Sequence, residues 1–291
     1  MRTIRTIAEM RAHVRSRREH GASIGLVPTM GAFHAGHESL IRAARAQTDE
    51  VVVSLFVNPA QFNDPRDLAA YPRDEQRDGG IARELGADVL FAPPPEEVYP
   101  EGFTTTVSVP GLSDVLEGAQ RGPGHFSGVS TVVAKLFNMV TPDVAYFGQK
   151  DGQQVAVLKR MARDLDFPLR IEVLPTVREP DGLAMSSRNG RLSPEERLRA
   201  AGLSAALRAA AEAIDDDPLD AGFAVLRDHG ITPEYLAMVD PETFKESGPL
   251  IVVAATIGDT RLIDNVLIER AATPERRGAD PKGAVSVLPT P

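Results

Sequence analysis

The residues best suited to chemistry begin with a histidine pair, His34 and His37, in the run Pro-Thr-Met-Gly-Ala-Phe-His-Ala-Gly-His of residues 28–37. The run precedes a predicted helix, whose first turn carries unpaired N–H groups and a partial positive charge that bind phosphate. Gly31 and Gly36 let the backbone approach a ligand closely, and the imidazole N–H groups can face phosphate oxygens. Such a pair can also simply cap its helix, but the neighbouring glycines favour a phosphate site.

Two further clusters offer charge and hydroxyl groups to the same phosphates. Residues 148–151, Gly-Gln-Lys-Asp, lie between a predicted strand and a predicted helix. Lys150 supplies a local cation there, and Asp151 could cap the helix or accept a hydrogen bond from a ribose hydroxyl. The Ser-Ser-Arg run of residues 186–188 places two hydroxyls beside a guanidinium, an arrangement suited to phosphate. Alone, each cluster could equally be a solvated loop or a serine-rich turn between domains.

Two amides, Asn58 and Gln61, follow the apolar run Val51–Val57. They are suited to hydrogen bonds with a small polar substrate. The Asn-Pro pair could also form an ordinary turn, because asparagine and proline both favour turns.

Alternating strand and helix patterns position these clusters. The predicted strands cover Ser23–Pro28, Val51–Val57, Asp88–Phe91, Val144–Phe147 and Leu169–Leu174, and the predicted helices cover His37–Gln47, Arg73–Leu85, Ser127–Val140 and Gly152–Leu165. This repeated βαβ order predicts an α/β fold with a doubly wound, Rossmann-like parallel sheet. Ligands bind such sheets at the carboxyl ends of the strands, where the clusters fall.

The pattern changes after Pro175, so we predict two domains. A Rossmann-like nucleotide-binding domain should cover residues 1–176, and a smaller α+β domain should cover residues 177–270. The smaller domain has predicted helices at Pro194–Ile214 and Leu219–His229, and predicted strands at Glu234–Val239, Leu250–Thr256 and Thr260–Ile268. Residues 271–291 are rich in proline, glycine and charge, which predicts a disordered tail.

Composition excludes several classes of function. The chain has 291 residues, a net charge of −9 and no cysteine, which rules out disulfides, thiolate metal sites and a cysteine nucleophile. Nucleic-acid binding depends mainly on lysine and arginine, so the acidic charge argues against it. We find neither a signal peptide nor an apolar run of the roughly 18–20 residues that span a bilayer. We therefore expect a cytoplasmic protein with small-molecule partners, and neither a nucleic-acid nor a membrane partner.

Seven ordered motifs resemble the pantoate–β-alanine ligases, or pantothenate synthetases, within the nucleotidyl-transfer superfamily that carries a His-x-Gly-His motif. They are Pro28–Gly31, His34–His37, Phe56–Phe62, Tyr71–Arg73, Arg121–Val129, Phe147–Gln154 and Pro175–Asn189. The resemblance implies an ATP-dependent ligase that condenses (R)-pantoate with β-alanine through a pantoyl adenylate, giving pantothenate, AMP and pyrophosphate. It also suggests a homodimer formed through the first domain.

The resemblance carries site roles onto matching residues. It implies that His37 donates a proton, and that His34, Lys150, Ser186, Ser187 and Arg188 complete the catalytic set. The implied ATP site adds Pro28, Thr29, Met30, Gly31, Ala32, Phe33, Ala35, Gly36, Gly148, Gln149, Asp151, Val177 and Met185. Pantoate and β-alanine should contact Gln61, Gln154, Asn58 and His125. Mg²⁺ should bridge the phosphates, with Asp78 as the candidate protein ligand, although Asp74–Asp78 could equally be a solvated helix face.

The chain departs from the family pattern at two positions. Glu38 follows His37 where an apolar or neutral residue is usual, and we expect its carboxylate to point away from the phosphates. Gly152 replaces a larger residue, which could loosen the helix start.

Other functions remain open at this point. Another nucleotidyltransferase with the same histidine motif could adenylylate a phosphorylated substrate. A class I aminoacyl-tRNA synthetase shares similar loops, but the acidic charge and the lack of an anticodon-binding region argue against it. A non-catalytic nucleotide sensor would not need the amides of Gln61 and Gln154.

Overall fold

The computed structural model describes residues 1–63, 65–122 and 124–268, which form two β-sheets with helices packed around them. The predicted disordered tail lies outside the described residues. The larger sheet has six parallel strands: β1 Arg2–Ile4, β2 Ile24–Thr29, β3 Glu50–Leu55, β4 Val89–Phe91, β5 Val144–Gly148 and β6 Arg170–Leu174. The smaller sheet is antiparallel: β7 Tyr235–Val239, β8 Leu250–Ile257 and β9 Thr260–Leu267. The predicted fold class is confirmed.

The strand order of the large sheet, β1-β4-β3-β2-β5-β6, creates a crevice beside β2. From β2 the chain proceeds to β3 and β4 on one side, and later returns to β5 and β6 on the other side. The loops that leave β2 and β5 therefore diverge. In open parallel sheets this change of direction opens a ligand crevice at the carboxyl ends of the strands.

Helices cover both faces of the large sheet. The helices are α1 Ile7–Glu19, α2 Ala35–Gln47, α3 Pro65–Ala70, α4 Glu75–Glu84, α5 Pro95–Val98, α6 Glu117–Arg121, α7 Gly124–Val140, α8 Gly152–Asp164, α9 Pro194–Glu212 and α10 Pro218–Asp228. Val52 of β3 packs with residues of α1, α7 and α8, whereas Val51 and Val53 pack with α2 and α4. Burial on both faces explains why this strand is continuously apolar.

The small sheet lies between α9 and the large unit. Ile251 and Val253 of β8 pack with α9, and Val252 packs on the other face with Ala156 and Val157 of α8. Helix α9 begins as its sequence predicts: Ser193 and Glu196 form a capping box, with a proline in the first turn.

Strand β1 and helix α1, the first strand and helix of the chain, were not predicted from the sequence. Helix α1 is capped by the Thr6 hydroxyl, which accepts a hydrogen bond from the Glu9 N–H. Thr-x-x-Glu is a capping-box pattern, so the signal was present in the sequence. Among the residues described, no helix combines the length and apolar character needed to cross a membrane.

Candidate active site

A cavity of about 460 Å³ lies at the crevice beside β2, between the large sheet and the small one. It brings together most of the predicted site residues. Those that line it are Pro28, Thr29, Met30, His34, Gly36, His37, Asn58, Gln61, His125, Gly148, Lys150, Asp151, Gln154, Val177, Met185, Ser186, Ser187 and Arg188. The other predicted residues stand outside the lining: Gly31, Ala32, Phe33, Ala35, Gln149 and Asp78.

The histidine pair caps α2 and faces the cavity at the same time. The Gly36 N–H donates to His34 Nδ1 at 3.1 Å, and the His34 N–H donates to His37 Nδ1 at 3.4 Å. Because each Nδ1 accepts a hydrogen bond, the neutral rings must carry their protons on Nε2. Capping and ligand binding are therefore compatible, because the capping bonds at Nδ1 leave the Nε2–H group of each ring to donate to a ligand.

Both histidines are neutral near pH 7. Burial, with a smaller contribution from the adjacent His34, lowers the pKa of His37 from 6.5 to about 3. Burial and the positive charge of Lys150 lower the pKa of His34. The cavity thus presents N–H donors without imidazolium charge, and Lys150 supplies the nearby cation.

Asp78 holds the loop that leads into the histidine pair. Its carboxylate is fully buried and accepts from the N–H groups of Ala32 at 2.7 Å and Phe33 at 2.9 Å. Ala32 has φ of 55° and Gly31 has φ of 97°, so this loop needs external support. These bonds assign Asp78 a loop-anchoring task; its role as a Mg²⁺ ligand stays a prediction.

Lys150 and Asp151 occupy the turn between β5 and α8. The Lys150 ammonium lies 3.6 Å from the Asp151 carboxylate. Asp151 precedes the helix, but within the described residues its side chain makes no capping hydrogen bond. The capping role considered for Asp151 is therefore wrong, and its half-exposed carboxylate remains available at the cavity.

The Ser186–Arg188 segment forms another part of the cavity lining. The Ser186 hydroxyl accepts from the Arg188 N–H at 3.2 Å, which tightens the turn. Asn189 fastens the same turn by donating to Glu179 at 2.6 Å and to the Ala184 carbonyl at 3.0 Å. The backbone that carries the two serines and the arginine is thus fixed at the cavity.

The two amides that follow β3 have different tasks: Gln61 faces the cavity and Asn58 supports it. The Asn58 carboxamide is buried and bonds to Gln61 Oε1, the Gly128 carbonyl, the Ala60 N–H and the Tyr99 hydroxyl. We revise its predicted role from substrate contact to support, because its polar atoms are already paired.

Gln61, in contrast, keeps an amide group available to a ligand. Among the described residues, its Nε2 has only the Met30 sulfur as a partner, at 3.1 Å, and sulfur is a weak acceptor. His125 lies in the same wall, with Nδ1 3.0 Å from the Gln61 carbonyl oxygen. Burial, reinforced by Arg121, lowers the pKa of His125 to about 4. Gln154 also lines the cavity.

A charged cluster around Glu117 at the cavity was not predicted from the sequence. Glu117 is buried and bonds to Arg121, to Tyr235 of β7 and, at 2.7 and 2.8 Å, to Arg261 of β9. Burial alone would raise the pKa of Glu117, but the two guanidinium groups outweigh it and lower that pKa. The cluster ties the small sheet to the large unit.

Comparisons with known proteins identify the family of the chain. Residues 2–267 match the family described as pantoate-beta-alanine ligase. The chain belongs to the pantoate–β-alanine ligase family. The predicted resemblance and enzyme class are thereby confirmed.

Individual relatives cover nearly the whole chain. It is 50% identical to the pantothenate synthetase of Moorella thermoacetica, over 92% of this chain and 99% of the relative. A pantothenate synthetase structure from Thermus thermophilus matches with a TM-score of 0.87 and 46% identity, covering 93% of this chain and 100% of that one. The Francisella tularensis pantoate-beta-alanine ligase, complexed with beta-gamma ATP and beta-alanine, matches with a TM-score of 0.78 and 36% identity, covering 93% and 98%.

The departures from the ligase family pattern have local explanations. Glu38 pairs with Arg42 one turn along α2, at 3.2 Å, so its carboxylate has a partner on its own helix. Gly152 makes room at the start of α8, where a Cβ atom would approach Asn265 Nδ2 to 3.3 Å. Gly152 is helical, with φ of −54° and ψ of −42°.

Proposed function

We propose that this cavity activates pantoate with ATP and then joins the activated acid to β-alanine. Membership of the ligase family supports the reaction class. The observation that carries the proposal is the placement of His34, His37 and Lys150 around one cavity, with the Gln61 amide beside them. A nucleotide and a small acid thus have adjacent sites.

In the proposed first step, a pantoate carboxylate oxygen attacks the α-phosphorus of ATP. The bond to the β-phosphate breaks, and pyrophosphate leaves with the electron pair. Negative charge grows on the transferring phosphoryl group, so preorganised donors lower the barrier. We assign this task to the Nε2–H groups of His34 and His37, the Lys150 ammonium and the Arg188 guanidinium, because all four residues line the cavity.

In the proposed second step, the amine of β-alanine attacks the acyl carbon of pantoyl adenylate. The amide bond forms, the acyl–oxygen bond breaks, and AMP leaves while the amine loses a proton. The adenylate is already a good leaving group, so the protein must mainly orient the reactants. This requirement fits a chain without cysteine.

We propose that pantoate binds through Gln61, Gln154 and His125. Neutral amides and a neutral imidazole suit an acid that carries hydroxyl groups, because they can donate to the carboxylate and accept from the hydroxyls. Asn58 holds the Gln61 carboxamide by donating to its Oε1 at 3.0 Å. The Gln61 amide N–H groups then face the ligand.

We propose that Mg²⁺ enters with ATP. Among the described residues, no group of three or more histidine or acidic side chains could hold a metal. Mg²⁺ commonly binds through substrate phosphates and water with only one or two carboxylates, so this pocket suits such an ion. The half-exposed Asp151 could contact it, and the bound ion would neutralise phosphate charge.

Three further features of the protein stay predictions. These are the homodimer formed through the first domain, the cytoplasmic location, and the domain boundary near residue 176.

The test is AMP release from ATP with pantoate, β-alanine, both or neither. The proposal expects full turnover only with both acids, and pantothenate as the product. AMP release with β-alanine alone, or equal release with unrelated acids in place of pantoate, would overturn the substrate assignment.

A further inference from the structure

Strand β9 of the small sheet sets alternate side chains against the nucleotide cavity. Arg261, Ile263 and Asn265 all face the large unit, because successive side chains of a strand point to opposite sides. Arg261 bonds to Glu117 on one wall, and Ile263 lines the cavity. Asn265 meets the turn that carries Lys150.

The Asn265 carboxamide bonds to that turn through both its Nδ2 and its Oδ1. Its Nδ2 donates to the carbonyl oxygens of Gln149 and Lys150, both at 2.9 Å. Its Oδ1 accepts from Gln149 Nε2 at 3.1 Å. Asn265 is only 4% exposed, so these bonds are shielded from water and constrain the turn strongly.

We propose that Asn265 is a positioning residue for Lys150, which rests on the function proposed above. The lysine side chain is long and flexible, and its ammonium can be aimed only if its backbone is fixed. Asn265 fixes that backbone by bonding to the carbonyls of Lys150 and of the residue before it. Gln149, predicted as an ATP contact, bonds to Asn265 instead.

The neighbouring Asp264 holds a second segment of the cavity through a side-chain ion pair. Its buried carboxylate accepts from Arg178 at 2.6 and 3.1 Å. Arg178 follows Val177, which belongs to the implied ATP site. Two adjacent residues of one strand therefore secure two segments that should meet the nucleotide.

If Asn265 only stabilised the small sheet, its loss would impair folding more than activity. Strand β9 pairs with β8 along its whole length, from Thr260 to Leu267, so the sheet does not depend on one amide. Loss of the Asn265 carboxamide should therefore impair the use of Lys150 more than it impairs folding.

The experiment is a double-mutant cycle with Asn265→Ala, Lys150→Ala and the double variant, measured by pantoate-dependent ATP–pyrophosphate exchange. In the wild-type background, Asn265→Ala should lower the exchange rate on the order of 10- to 100-fold. In the Lys150→Ala background the same change should cost less than about 3-fold, because the group it positions is already gone.

Asn138→Ala is the control for loss of a carboxamide away from the cavity. Asn138 is exposed and donates a single carboxamide hydrogen bond, to the Ala134 carbonyl at 3.0 Å, and it lies on α7 outside the cavity lining. The exchange rate of Asn138→Ala should stay within about 2-fold of wild type. Thermal melting checks that each variant is folded. Asn265→Ser keeps one hydrogen-bond donor, so it should lower the exchange rate less than Asn265→Ala does. It replaces Asn265→Ala in the cycle if that variant is unfolded.

Equal losses in both backgrounds would overturn the proposal, as would a lower melting temperature with an unchanged exchange rate. Failure of the proposed function would look different, since the wild type would then show no pantoate-dependent exchange. The dissociation constant for ATP, measured on the same four proteins without pantoate, would still test the coupling. Non-additive losses of affinity would support it, and additive losses would contradict it.

Discussion

Replacing Asp78 by asparagine should weaken both the fold and the nucleotide loop. The carboxylate accepts from the Ala32 and Phe33 N–H groups at 2.7 and 2.9 Å, and it is fully buried. An asparagine has one acceptor oxygen, so its NH₂ group would face one of these donors. Leaving a buried donor unpaired and losing a charge-assisted bond costs about 2–4 kcal/mol.

The local backbone adds to this expectation. Gly31 and Ala32 both have positive φ, and a Cβ atom on Gly31 would come within 3.0 Å of the Asp78 carboxylate. The loop has few alternative ways to satisfy its N–H groups. We expect Asp78→Asn to raise the dissociation constant for ATP by about 10-fold, since the adjoining helix start shifts.

Urea unfolding and ATP titration measure these effects, with Asp228→Asn as the control. Asp228 is exposed, so its replacement should change stability by no more than about 0.5 kcal/mol. The Mg²⁺ concentration for half-maximal activity should stay unchanged in Asp78→Asn. Unchanged stability together with a raised Mg²⁺ requirement would refute loop anchoring and favour the metal role instead.

Three further predictions concern the cavity. His37→Ala should slow adenylate formation by a factor on the order of 100 in single-turnover assays, because a fixed N–H donor is lost; near-normal turnover would remove that role. Gln61→Ala should raise the KM for pantoate far more than that for ATP in steady-state assays, and equal effects would count against the assigned subsite. His125→Asn should reduce the loss of folding stability that occurs as pH falls. The wild-type pKa of His125 is lowered from 6.5 to about 4, so the folded state binds fewer protons between those pH values and loses stability as pH falls through them. Urea unfolding at about pH 7 and about pH 4.5 measures this difference, and an identical pH dependence in both proteins would contradict the reasoning.

The periodic parts of the chain were predictable because their hydrophobic pattern is set by burial. Val51–Val53 are buried on both faces of the large sheet, and a continuous apolar run is the expected result. The cavity lining was predictable where glycines and histidines follow such strands, since the fold brings strand ends together. Helix α1 was missed although Thr6 and Glu9 form a capping pair.

Residue roles that depend on distant contacts were not predictable from local patterns. Asp78 and Asn58 are typical surface or turn residues by type, yet both are buried and anchor backbone or side chains near the cavity. Asp264 and Asn265 interrupt the apolar strand β9, and that interruption was a usable signal of buried polar bonding. Their partners are remote in sequence, so only the tertiary structure identifies them.

The most direct test of the account is isotope exchange between pyrophosphate and ATP without β-alanine. If the cavity forms pantoyl adenylate, pantoate alone should support exchange, and hydroxylamine should trap pantoyl hydroxamate with equimolar AMP. Omission of pantoate should abolish both signals. Exchange that proceeds without pantoate, or AMP that forms with pantoate but without a trappable acyl group, would contradict the central claim.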